Sequence, residues 1–173
     1  MPKPALDDYV TDILVAISGQ EENIQQAVLE VKRIKESDAR IWVLGNGGSL
    51  ATAQHFAQDL LKMRGVRAQC LNDPSVITAY TNDEGFENSF FLPLARLSDP
   101  YDLIFVFSCS GKSPNYSLIF GQITNRIIAV VGTDGGIMKD KADITIHIKS
   151  VDYRICEAAF GIVADLINIG LED

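Results

Sequence analysis

Two short polar loops in the sequence carry the residue types that bind phosphate groups. Residues 45–49 read Gly-Asn-Gly-Gly-Ser, and residues 108–113 read Ser-Cys-Ser-Gly-Lys-Ser. Glycines let the backbone turn sharply, while hydroxyl groups and the free N–H groups at a helix start can donate hydrogen bonds to phosphate oxygens. The first loop lacks both the GxGxxG spacing of a dinucleotide fingerprint and the Lys-Ser/Thr of a Walker A loop, so no nucleotide cofactor is expected.

The elements around these loops predict a scaffold that would bring them together. From residue 40, short apolar runs alternate with amphipathic segments, which is typical of a parallel sheet covered by helices on both faces. Both loops would follow strands, where ligands of such sheets bind, and this placement favours a phosphate site over two ordinary turns. Strands are predicted at 41–44, 68–71, 103–107, 127–131 and 144–148, and helices at 49–63, 74–80, 86–97, 114–123 and 155–171.

The segment before the first strand has helical periodicity. Apolar residues recur at three- and four-residue steps over 6–36, and residues 19–21 interrupt them, which predicts two helices. Their apolar stripes are equally compatible with packing on their own domain and with a subunit interface. We therefore expect one domain over residues 1–173, a helical pair at 6–36 followed by a core at 40–173. Its predicted fold is a three-layer α/β/α sandwich with a parallel, five-stranded sheet.

Composition excludes several classes of protein. The 173 residues include 15 Lys and Arg against 23 Asp and Glu, a net charge of −8, and 47% are hydrophobic. This composition argues against a disordered chain and against an extended nucleic-acid groove. The sequence shows no secretory signal, no apolar stretch near the ~20 residues of a membrane helix, and three cysteines without CxxC spacing. We expect a cytoplasmic protein with neither membrane nor nucleic-acid partners.

Five motifs in order resemble those of the sugar isomerase (SIS) domain. They are GNGGS at 45–49, AQHFAQDL at 53–60, TNDEGF at 81–86, SCSGKS at 108–113 and GTDGG at 132–136. More narrowly, they are similar to the phosphoheptose isomerase group, which interconverts sedoheptulose 7-phosphate and D-glycero-D-manno-heptose 7-phosphate. The resemblance implies a phosphorylated sugar as substrate and a homotetramer with sites near the subunit interfaces.

The resemblance also implies which residues touch the substrate. Cys109 stands where the family usually has threonine; because a thiol is a weaker donor than a hydroxyl, we expect its backbone N–H to supply more of the contact. The implied phosphate contacts are Ser108, Cys109, Ser110 and Ser113, and the implied sugar contacts are Asn46, Ser49 and Asp83.

At the metal and acid–base positions the sequence departs from the family pattern. His55 matches a zinc ligand, Asp59 replaces a glutamate and Cys156 replaces a glutamine, so the resemblance implies a zinc site of His55, Asp59 and Cys156. Positions 55 and 59 share one helix face. The predicted catalytic carboxylates are Asp59 and Glu157. Ala164 occupies the place of a family histidine and can neither bind metal nor move a proton.

Three interpretations of this altered site remain open from the sequence. The first is an isomerase with a modified metal and acid–base site. The second is a catalytically inactive module that binds a phosphosugar or a protein partner, related to the SIS protein that binds a bacterial replication initiator. In the third, His55 is a satisfied polar residue and Cys156 a small buried apolar one.

Overall fold

A parallel sheet of five strands forms the centre of the computed structural model, which describes residues 5–172. The strands are β1 (Ile41–Gly45), β2 (Ala68–Cys70), β3 (Leu103–Ser108), β4 (Arg126–Val131) and β5 (Ile144–His147). Their order is β2-β1-β3-β4-β5, and every neighbouring pair is parallel. The chain leaves β1 for β2 on one side and returns to β3 on the other, so a topological switch point lies between β1 and β3.

Helices cover both faces of this sheet. Because successive side chains of a strand point to opposite faces, Val43 enters one core and Trp42 the other. The helices are α1 (Leu6–Ile17), α2 (Glu21–Lys35), α3 (Gly48–Arg64), α4 (Pro74–Glu84), α5 (Asn88–Leu97), α6 (Pro114–Ser117), α7 (Ile119–Gln122), α8 (Met138–Lys141) and α9 (Tyr153–Ile169). Of these, α1, α2, α3 and α9 pack on the first face, and α4 to α8 pack on the second.

This architecture confirms the predicted fold class and differs from the prediction in its shortest elements. The helix expected at 114–123 is two single turns, α6 and α7, and the Ser117 hydroxyl donates to the Pro114 carbonyl, a local bond that competes with the helical ladder. Helix α8 was not predicted because one turn is too short to show periodicity. Residues 1–4 and 173 of the predicted domain lie outside the described residues. Within 5–172, no helix is long and apolar enough to span a bilayer.

A buried carboxylate ties together the amino-terminal ends of β1 and β3. Asp102 is only 1% exposed and accepts hydrogen bonds from the Arg40 N–H at 2.8 Å, the Trp42 indole at 2.9 Å and the Asp99 N–H at 3.0 Å. A buried carboxylate without such donors would be strongly unfavourable. Asp102 therefore holds the two central strands at the end of the sheet opposite to the polar loops.

We expect D102N to destabilise the fold by about 3 kcal/mol, because an amide NH₂ would replace an oxygen that accepts from a buried donor. Urea unfolding followed by circular dichroism measures this loss. The exposed Asp99 lies three residues away, and D99N should change the free energy of unfolding by less than about 0.5 kcal/mol. Equal stability of D102N and wild type would show that the three hydrogen bonds are dispensable.

Candidate functional site

A cavity of about 290 Å³ opens at the carboxyl ends of β1 and β3, where Gly45 pairs with Phe107. Both predicted polar loops form its walls, and the first turns of α9 close it with Tyr153 and Glu157. The structure thus places seven of the predicted site residues around one space: Asn46, Ser49, Ser108, Cys109, Ser110, Ser113 and Glu157.

The 108–113 loop is folded so that its hydroxyl groups remain available as donors. The Gly111 N–H donates to Ser108 Oγ at 3.1 Å, and the Lys112 N–H donates to Ser110 Oγ at 3.2 Å. Because each oxygen accepts from the backbone, each hydroxyl proton is free to point at an anion. The Lys112 ammonium is 2.6 Å from an Asp134 carboxylate oxygen, and this pair is exposed. The loop therefore offers neutral donors to the cavity.

Glycines hold this loop against the 132–136 loop. Gly111 has a φ of +62°, and a Cβ there would lie 1.9 Å from the Gly135 carbonyl oxygen. Gly136 has a φ of +54°, and its Cβ would lie 2.3 Å from the Gly111 carbonyl oxygen. The backbones of the two loops are in direct contact as a result. The sequence predicts a glycine-rich turn at 132–136 but does not indicate that this turn supports the 108–113 loop.

A reciprocal amide pair flanks the cavity on the β1 side. Asn46 Nδ2 donates to Asn115 Oδ1 at 3.0 Å, and Asn115 Nδ2 donates to Asn46 Oδ1 at 3.0 Å. Asn46 lines the cavity, whereas Asn115 is buried behind it at the start of α6. Sequence reasoning missed Asn115, for which the only signal was its place directly after the polar loop and Pro114.

The Glu157 carboxylate lies directly against the start of α3. A Cβ on Gly48 would be 2.4 Å from the Glu157 carboxyl carbon, so a side chain at position 48 would require this carboxylate to move. Gly48 is the first residue of a 17-residue helix, whose N-terminal N–H groups and dipole favour a nearby negative charge. A carboxylate therefore faces the same cavity as the serine hydroxyls.

Cys156 is buried behind the cavity wall and packs against Gly132. A Cβ on Gly132 would lie 2.4 Å from the Cys156 sulfur. The Cys156 thiol donates a hydrogen bond to the Ser150 carbonyl at 3.3 Å. Its neighbour is the Cys109 thiol, and the interaction between the two lowers the pKa of Cys156 and, together with burial, raises the pKa of Cys109 above its usual range. Cys156 thus contacts the 108–113 loop from behind and not the predicted metal ligands.

His55 and Asp59 line a different space, a cleft of about 270 Å³ between α3 and α9. His55 Nε2 is 3.3 Å from Asp59 Oδ2, and Ala164 contributes to the opposite wall. The two side chains do share one helix face, as predicted, but that face is turned away from the 45–49 and 108–113 loops. Asp83, predicted to contact the sugar, lies on α4 in a separate surface depression, where it accepts a hydrogen bond from Asn82.

The predicted zinc ligands do not form one site within the chain. Zinc sites use at least three protein ligands, and no three His, Cys, Asp or Glu side chains among residues 5–172 are placed to hold a metal ion. His55 and Asp59 are together, but Cys156 belongs to the environment of Cys109. The four-residue spacing thus predicts the face that His55 and Asp59 share, and the three-ligand zinc site stays a prediction.

Comparison with known proteins relates the chain to a family. A sequence model of the SIS domain matches residues 7–133. Phosphoheptose isomerases of Geobacter metallireducens and Trichlorobacter lovleyi are 36% and 38% identical to the chain over 145 residues each. These alignments cover 76% of the chain and 77% and 74% of the relatives. The structure of a phosphoheptose isomerase from Neisseria gonorrhoeae superposes with a TM-score of 0.88 at 25% identity, over 95% of this chain and 93% of that one.

Replacing Gly111 should disrupt anion binding. G111A introduces a Cβ into the Gly135 carbonyl and a side chain at positive φ, so the two loops must separate. We expect inorganic phosphate to raise the melting temperature of the wild type and to have at most half that effect on G111A. Differential scanning fluorimetry measures both. A Cβ at Gly121 would meet nothing within 4 Å, so G121A should respond to phosphate as wild type does. An undiminished response of G111A would contradict the assigned role of the loop.

Proposed function

Because the chain belongs to the SIS domain family, we propose that it interconverts sedoheptulose 7-phosphate and D-glycero-D-manno-heptose 7-phosphate. The coarser conclusion, that it is a phosphosugar isomerase, follows from relatives named phosphoheptose isomerase that align with about three quarters of the chain. The observation that supports the specific reaction is that hydrogen-bond donors suited to a phosphate and the Glu157 carboxylate face each other across the same cavity.

The phosphate is assigned to the 108–113 loop. The hydroxyl groups of Ser108, Ser110 and Ser113 and the backbone N–H of Cys109 would donate to its oxygens. These donors are neutral, so the site requires no net positive charge from a chain of charge −8. With the phosphate held there, Asn46 and Ser49 across the cavity are assigned to the oxygen atoms at the carbonyl end of the sugar.

Glu157 is assigned the proton transfer between carbon atoms. Isomerisation of the ketose requires a base to take a proton from C1 and return it to C2, through an enediol, while a proton passes from the C1 oxygen to the C2 oxygen. The Glu157 carboxylate lies in the cavity with both loops, whereas Asp59 lines the neighbouring cleft. We therefore assign Asp59, the other predicted catalytic carboxylate, no step in the reaction.

Two matched carboxylate variants test this assignment. E157Q keeps the shape of the side chain but cannot take a proton, so we expect kcat to fall by about a hundredfold or more with little change in KM. D59N should retain most of the wild-type kcat. Product formation from sedoheptulose 7-phosphate, followed by NMR, measures both variants. The exposed Glu172 pairs with Arg64, and E172Q serves as a remote control.

Loss of activity in D59N with full activity in E157Q would overturn the assignment. Wild-type protein that binds sedoheptulose 7-phosphate without forming product would contradict the isomerase reaction. That result would favour the inactive phosphosugar-binding module, consistent with Ala164 in place of the family histidine. Wild-type protein that binds no sugar phosphate would contradict both functions.

We also propose that the chain assembles into a homotetramer through the outer face of α1. Ile13 and Ala16 of this helix are buried in the chain, but Leu14 is 59% exposed and Val15 is 63% exposed. Leu6 and Val10 add to the same exposed apolar surface. A second copy of the chain is the occupant that the family resemblance implies.

Size-exclusion chromatography with light scattering tests the assembly. The wild type should have the mass of a tetramer, and L14D should shift it to smaller species because a charge would be buried in the interface. Tyr101 is 79% exposed in the turn before β3, so Y101D should leave the mass unchanged. A wild-type monomer would contradict the proposal.

A further inference from the structure

We propose that Asn115 is a positioning residue that fixes the orientation of the Asn46 amide toward the sugar. The inference deepens the proposed function, on which it rests. Asn115 does not line the 290 Å³ cavity and would touch no substrate there, but its amide is bonded to that of Asn46 in both directions.

The two hydrogen bonds hold the plane of the Asn46 amide and couple its rotation to that of Asn115. A primary amide has two N–H groups and a carbonyl oxygen with two lone pairs, and it can rotate to exchange its nitrogen and oxygen. The pairing uses one N–H and one lone pair of each side chain, at 3.0 Å in both directions. Asn46 therefore retains one donor and one acceptor in a fixed plane, and its nitrogen and oxygen can exchange places only when those of Asn115 do so as well. This suits an end of the sugar where a hydroxyl and a carbonyl exchange places.

Asn115 itself has little freedom to move. It is 1% exposed and directly follows Pro114, whose fixed φ begins α6, next to the fully buried Tyr116. The polar loop, the proline and Asn115 are thus consecutive in the chain. The segment that carries the phosphate donors also sets the position of the amide that holds Asn46, so the two ends of the substrate site share one anchor.

A second cavity explains why Asn46 needs a partner. This space of about 320 Å³ lies beside the first and is lined mainly by apolar side chains, among them Leu71, Ile77 and Phe90. Asn46 and Gly47 border both cavities, and Asn115 borders the second. An unpaired amide in apolar surroundings loses hydrogen-bond energy. Without Asn115, the Asn46 side chain would lose the bonds that hold it at the boundary and turn its polar atoms elsewhere.

The substitution N115D makes the pair dependent on pH. A protonated carboxyl group donates to Asn46 Oδ1 and accepts from Asn46 Nδ2, which restores both bonds. An ionised carboxylate has no proton to donate and places an oxygen against Asn46 Oδ1. We expect KM for sedoheptulose 7-phosphate to be near the wild-type value at low pH and to rise about tenfold as pH increases through the pKa of the introduced group.

Wild type and two further variants isolate this effect. Ionisable side chains such as Glu157 line the same cavity, and a wild-type profile recorded in parallel accounts for their contribution. Asn168 is also buried, on α9, where Arg64 donates to its side chain, so N168D controls for the same substitution and should give the wild-type profile. N115A should raise KM about tenfold at every pH, and in an N46A background it should add no further increase.

The outcomes separate this inference from the proposed function. A wild type without turnover would contradict the isomerase reaction, and the same comparisons would then be made on calorimetric Kd values for sedoheptulose 7-phosphate. A wild type that binds no sugar phosphate would overturn both. Three results would each overturn the role of Asn115 alone. They are the same pH-independent increase in KM for N115D and N115A, additive effects of N46A and N115A on KM, and a wild-type KM in N115A. Melting temperatures of all variants establish that each is folded.

Discussion

The pairing of β1 with β3 is the constraint on which the site depends. The two strands are neighbours in the sheet although α3, β2, α4 and α5 intervene in the chain, and their register sets Gly45 beside Phe107. The 45–49 and 108–113 loops therefore leave the sheet side by side. At the opposite end of the same pair of strands, Asp102 accepts hydrogen bonds from three N–H groups of the protein itself. One end of the central strands is thus fixed by charge-assisted bonds, and the other is left open for a ligand.

The hydrogen-bond donors of the 108–113 loop are backbone groups and uncharged side chains. The oxygens of Ser108 and Ser110 accept from the backbone, Lys112 is paired with Asp134, and the one carboxylate among the cavity-lining residues, that of Glu157, lies at a helix N-terminus. Such an arrangement would suit one phosphate held by directed hydrogen bonds and offers nothing to an extended polyanion. The acidic composition of the chain and a phosphorylated ligand are therefore compatible, because recognition depends on a few oriented dipoles and not on overall charge.

Sequence reasoning was most successful where a signal is local. The apolar runs predicted all five strands, and the residues after β1 and β3 predicted the loops that line the cavity. The fold brings Glu157 to the same cavity as these loops. His55 and Asp59 share a helix face, as their four-residue spacing predicts, but this spacing does not show that Cys156 lies beside Cys109. Asn115 was missed because its partner, Asn46, lies in a different loop and becomes adjacent only when β1 and β3 pair.

The contact between Gly111 and Gly135–Gly136 has an evolutionary consequence. Because this contact is made by backbone atoms alone, no choice of side chain can enlarge or reshape it, and any Cβ there removes it. The end of the cavity formed by the 108–113 loop is therefore closed to gradual change by substitution. Divergence toward other phosphorylated sugars would have to proceed through the walls made of side chains, such as Asn46 and Tyr153. With the phosphate at the 108–113 loop, as proposed, such a fold would change its sugar while it keeps its phosphate.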